Sequence, residues 1–85
     1  MKLLKSLAIA LLLIGPAAAQ TQSVLYPTEQ TAQQACRGDE VVWVNLASGV
    51  YHLRGERWYG RTKNGAYVCR KVADAHGYRM TRNGQ

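Results

Sequence analysis

The sequence predicts a small α+β domain stapled by one disulfide, with a short antiparallel sheet packed on one short helix. Three observations predict it. The two cysteines of the 85-residue chain, Cys36 and Cys69, stand 33 positions apart. Two short β-branched and aromatic runs, at 41–44 and 50–53, flank the turn residues Ala47, Ser48 and Gly49. Downstream, Cys69, Val72, Ala73 and His76 recur at i, i+3, i+4 and i+7, one face of a helix.

Residues 1–19 read as a signal peptide rather than as part of this domain. Lys2 and Lys5 give a positive start, 7–14 is an unbroken apolar stretch, and Gly15-Pro16 stops the helix before Ala17-Ala18-Ala19. Eight apolar residues fall well short of the roughly 18–20 that span a bilayer. Cleavage is expected after Ala19, with no cysteine following to carry a lipid, so the mature chain is expected in the periplasm or outside the cell. It would keep nine basic and five acidic residues, a net charge of +4 against +6 for the full chain. That balance favours acidic partners such as nucleic acid or an envelope polymer.

An exported chain meets an oxidising compartment, where two cysteines are expected to pair. A mature domain of 66 residues has little core for its surface, and closing a loop of 33 residues is worth roughly 3.5–4 kcal/mol in the chain-entropy model. The alternative for the same residues is a small zinc-binding protein using Cys36, His52, Cys69 and His76, the ligand types of a structural zinc site.

Along the chain, 20–35 reads as a flexible polar lead-in and 36–83 as the domain. Within the lead-in, Thr28 is placed to cap a short helix ending near Cys36, with Glu29 in its first turn. Its apolar content is too thin for independent stability. Order is expected to begin at "EVVWVNL", whose near-continuous apolar character suggests a strand covered on both faces. The run at 50–53 is its hairpin partner. Residues 54–65 read as an extended loop closed by the Asn64-Gly65 turn. A short strand at 66–69, a helix near 70–76 stopped by Gly77, and a closing strand "YRM" complete the series. The core is expected to draw on Val42, Val44, Tyr51, Trp58, Tyr67, Val72, Ala73 and Tyr78, with Trp43 as a further candidate.

The stretch "VYHLRGERWYGRTKNG" is the candidate site. Arg54, Arg57, Trp58, Tyr59, Arg61 and Lys63 combine cations with aromatic faces, the parts from which single-stranded nucleic-acid grooves are built. The phosphate-loop pattern is absent, since Arg61-Thr62 follows Gly60 where that pattern needs Lys-Ser or Lys-Thr. Tyr51 and His52 are neighbours on a strand and should point to opposite faces, with His52 a partly buried imidazole bonded to backbone. His76 suits the negative end of a helix. No nucleophile sits beside a base, so an enzyme is not expected, nor is a cofactor. The carboxylate pair Glu56 and Asp74, like the pair His52 and Asp74, would depend on folding to meet.

The strings "VVWVN", "SGVYH", "G-x-RWYG-x-TK-x-G-x-Y" and "A-x-x-x-GYR" (Ala73 to Arg79) together resemble a family of short exported bacterial proteins, across about 36–83. More remotely, Tyr51-His52 and Gly77-Tyr78-Arg79 are similar to the zinc-binding module of Ada-type DNA methylphosphotriester repair proteins. Glu56 stands where that module's first cysteine would be, and Met80-Thr81 replaces its Pro-Cys, so the resemblance implies a small α+β scaffold without the module's metal ligands. The function expected is therefore a small, monomeric, non-enzymatic exported protein. It would bind a polyanion or an envelope protein through the Arg and aromatic loop.

Overall fold

The computed structural model describes residues 24–85. The expected signal peptide and the first residues of the lead-in lie outside them. Helix α1 spans Glu29–Ala35, strands β1 and β2 span Val41–Asn45 and Val50–His52, and β3 spans Gly65–Cys69. Helix α2 (Arg70–Ala75) and strand β4 (Arg79–Met80) follow. The strands form one sheet in the order β3-β1-β2-β4.

The β1–β2 hairpin forms as its turn chemistry requires. Asn45 Oδ1 accepts from the Ala47 N–H, the Gly49 N–H returns to the Asn45 carbonyl, and Gly49 takes a φ of +75° that a side chain would strain. Trp43 then pairs with His52 and Val44 with Tyr51. Strand β3 adds antiparallel to the other side of β1.

Strand β4 departs from the expected antiparallel sheet, running parallel to β2. The physical reason is the helix between β3 and β4. A strand–helix–strand crossover brings the chain back in its original direction, and β3 already runs parallel to β2 because both are antiparallel to β1. The sheet is mixed, and it packs against two helices rather than one.

Period-2 alternation divides β1 between two cores. Val42 and Val44 join Tyr51, Val68 and Ala73 under α2, with Leu53, Val72 and Tyr78 packed around them. Each fully buried valine there contributes roughly 1.5–3 kcal/mol relative to exposure. Tyr51 satisfies its hydroxyl by donating to Asp74 Oδ1 on α2 at 2.7 Å. The N-terminus of α2 is capped from afar: Asp39 Oδ2 accepts from the Lys71 N–H, and the Glu40 carbonyl from the Arg70 N–H.

On the opposite face, Val41 meets Ala32 and Cys36, with Tyr26, Tyr67 and Cys69 alongside. The helix expected at 28–36 is present, and Thr28 Oγ1 accepts from the Thr31 N–H as its cap. What holds this short helix is tertiary. Ala32 is fully buried, Cys36 is bonded to Cys69, and Tyr26 exchanges backbone hydrogen bonds with Tyr67 at the β3 edge. Tyr26, upstream of Cys36, is thus part of the packed unit.

Trp58 is the core expectation that changes, while that for Trp43 holds. Trp43 is buried, 8% exposed, whereas Trp58 is 39% exposed. Both follow from the loop at 54–64. It folds over the sheet face that carries Trp43, and Trp58 belongs to the covering segment, not the covered one.

Candidate functional site

The loop reaches its place through named contacts. Successive turns close where Glu56, Tyr59 and Arg61 donate their N–H groups to the carbonyls of Leu53, Glu56 and Trp58. Glu56 adds a carboxylate oxygen to the Leu53 N–H at 2.7 Å. Trp43 Nε1 donates to Thr62 Oγ1 at 2.8 Å, the Leu46 N–H donates to the Asn64 carbonyl, and the Trp58 N–H donates to the main-chain oxygen of Gln85. Tyr59 packs tilted on Tyr67, ring centroids 5.6 Å apart.

This path distributes five of the six expected site residues over two hollows, with Arg57 lining neither. Trp58, Arg61 and Lys63 line a groove of about 490 Å³ against the sheet, with Thr62 between the two cations and Asn45, Ser48, Val50 and His52 contributed by the hairpin. Arg57 places its guanidinium 5.0 Å from the centre of the Trp58 ring, a cation–π contact that steadies the indole. No carboxylate lines this groove.

Arg54 and Tyr59 lie elsewhere, in a second hollow of about 350 Å³ beside α1 that also contains Glu29, Asp39 and Glu40. Arg54 pairs with Glu29 at 3.3 Å, and the Tyr59 hydroxyl donates to Glu29 Oε2 at 2.6 Å. Their charges and donors are engaged in fixing the loop to α1.

Burial, and then the neighbouring Glu29 carboxylate, holds the Tyr59 phenol far above its ordinary value. Burial followed by the Asp74 hydrogen bond raises that of Tyr51. Both shifts are upward. The neutral phenols therefore stabilise the fold below the unfolded-state value near 10, and this contribution is lost as the pH climbs through the raised folded-state values. A phenolate absorbance titration is expected to show late-ionising tyrosines whose release coincides with alkaline unfolding. Tyr59→Phe should remove one of them. Complete ionisation near pH 10 with the circular dichroism intact would contradict these contacts.

His52 differs from its expectation. It is 7% exposed and points away from Tyr51, but its Nδ1 is buried without a hydrogen-bond partner, where a backbone bond was expected. Its position on the Trp43 face was legible from strand parity. That the groove would form over it was not. Asn45 and Ser48 also escaped sequence reasoning, because the first read as a strand residue and the second as a turn residue.

The other pairings do not assemble. Asp74 bonds Tyr51 on the α2 face, so His52 and Asp74 lie on opposite sides of the sheet. Glu56 is engaged with the Leu53 N–H. The two thiolates needed by the zinc alternative are consumed by the Cys36–Cys69 disulfide. His76 caps α2, its Nδ1 3.0 Å from the Val72 carbonyl. Among the described residues, no three His, Cys, Asp or Glu side chains gather as a metal site, and no helix is long and apolar enough to cross a membrane. The chain matches no family model, no curated protein and no solved structure.

Proposed function

We propose that this protein is a small exported, non-enzymatic binding module that holds an anionic ligand in the groove between Trp58, Arg61, Lys63 and the β1–β2 hairpin. The observation that carries the reading is the charge contrast between the two hollows. The one beside α1 balances its cations with carboxylates. The sheet groove has two cations, an exposed indole and no carboxylate among its lining residues. An anion entering it gains charge-assisted hydrogen bonds without displacing an internal partner. The disulfide suits an oxidising compartment, in keeping with export after cleavage near Ala19.

The test is retention on immobilised heparin and single-stranded DNA across a salt gradient. The double variant Arg61→Gln/Lys63→Gln is expected to elute at markedly lower salt, with the logarithmic salt slope reduced by about 2, roughly one for each cation removed. Arg54→Gln, on the Glu29 side, is expected to change it little. Unaltered retention of a folded double variant would refute the groove as the anion site.

A further inference from the structure

We infer that the ligand is an acidic sugar residue. Its ring stacks on Trp58, its carboxylate lies between Arg61 and Lys63, and one of its oxygens takes a hydrogen bond from Nε2 of His52. This rests on the anion-binding reading above and adds the chemical class of the ligand and three hairpin contacts.

His52 lines the groove. Its Nδ1 is sealed in without a partner, whereas Nε2 is not among the sealed atoms and makes no hydrogen bond among the described residues. A buried N–H with nothing to donate to is a rarer and costlier fault than a bare acceptor. Of the two tautomers, the one with its proton on Nε2 avoids that fault, and we take Nε2 as a donor on the groove side. Asn45 and Ser48 act in the same sense. Asn45 Oδ1 already accepts from Ala47, leaving its amide hydrogens free, and Ser48 Oγ already accepts from the Val50 N–H, leaving its hydroxyl hydrogen free.

The groove thus presents donors from His52, Asn45, Ser48, Arg61 and Lys63 and no anionic acceptor. Its complement is rich in oxygen acceptors and carries negative charge. The apolar wall is Val50 and one exposed indole, whose negative π face suits the partly positive C–H face of a saturated ring.

Two features count against a nucleic-acid strand. Such a strand is followed by a stripe of cations with successive aromatic platforms. Here Arg54 is committed to Glu29 on the other hollow and Tyr59 to Glu29 and Tyr67, which leaves one free platform. Nucleobase edges also present N–H donors, for which the groove has no carboxylate. A volume of about 490 Å³ lies in the range of small-ligand sites, roughly 300–1,000 Å³.

The test uses trigalacturonate, its methyl ester and a tetrathymidylate oligonucleotide, each titrated into the purified protein. Trigalacturonate is expected to shift the His52 Nε2 nitrogen resonance and the Trp58 emission. Esterification of its carboxylates or Trp58→Ala should weaken binding at least tenfold. The nitrogen resonance is read on the unsubstituted protein, so it stands whether or not a His52 variant folds. Trigalacturonate binding with that resonance unmoved overturns the His52 contact. Tetrathymidylate binding more tightly than trigalacturonate overturns the sugar assignment. So does an absence of trigalacturonate binding while heparin retention persists and still depends on Arg61 and Lys63; in both cases the anion-binding reading stands. Loss of heparin retention by the unsubstituted protein removes both.

Discussion

Reduction of the Cys36–Cys69 bridge, or replacement of both cysteines by serine, is expected to lower the melting temperature by roughly 15–30 °C. The bridge closes a loop of 33 residues, worth about 3.5–4 kcal/mol in the chain-entropy model, and a domain of this size shifts by about 4–8 °C per kcal/mol. The loss has a direction in the structure. Cys36 is the C-cap of α1 and Cys69 the N-cap of α2, so the bond ties the first helix to the end of β3. At seven residues, α1 is far below the roughly 12–15 at which a helix persists alone. Its detachment would take Glu29 from Tyr59 and Arg54, while the Val42, Val44, Tyr51 and Val68 core lies on the other face. Melts with and without reductant, followed by far-ultraviolet circular dichroism, measure both effects. An unchanged melting temperature after verified reduction would show that the bond does not support the fold.

Gly65→Ala is expected to cost about 3 kcal/mol, although the site is a strand residue without a positive φ. The requirement there is space. A Cβ on Gly65 would land among the Cζ2, Cε2 and Cη2 atoms of the Trp43 indole, well inside van der Waals contact. To relieve this, the ring must leave its edge-on contact with Tyr67, now 4.8 Å between centroids, and its hydrogen bond to Thr62. Overpacking alone costs about 1–3 kcal/mol, and a buried indole N–H without a partner adds a further ~1–3 kcal/mol. Thr62 lies between Arg61 and Lys63, so the same substitution is expected to weaken polyanion retention. Urea unfolding of Gly65→Ala, Trp43→Phe and the double variant tests the cause, because the smaller ring should make the alanine cheaper by more than about 1 kcal/mol. Additive effects would refute the steric explanation.

Much of this architecture was open to sequence reasoning because it rests on local signals. The Thr28 cap, the hairpin around Gly49, the i, i+3, i+4 face of Val72 and Ala73 and the pairing of the two cysteines each follow from neighbouring residue types or from compartment chemistry. Strand parity also separated Tyr51 from His52 correctly. Local signals do not carry direction across a sheet, however, and the parallel course of β4 came from the α2 crossover.

The candidate loop was legible as a composition and not as a surface. Six residues were expected to act together, yet Glu29, 25 positions before Arg54, takes Arg54 and Tyr59 to one hollow while Trp58, Arg61 and Lys63 line the other.

By itself, then, the sequence determined the elements and their order, because hydrogen-bond caps, turn conformations and residue periodicity act over a few positions, and it favoured a bond between Cys36 and Cys69 over their use as zinc ligands. Only the tertiary structure decided that Trp43 lies beneath the loop and Trp58 upon it, that His52 keeps an unpaired nitrogen below the groove, and which cations remain unmatched. Those outcomes depend on which segment covers which face, a choice set by steric fit and charge pairing between residues distant in the chain.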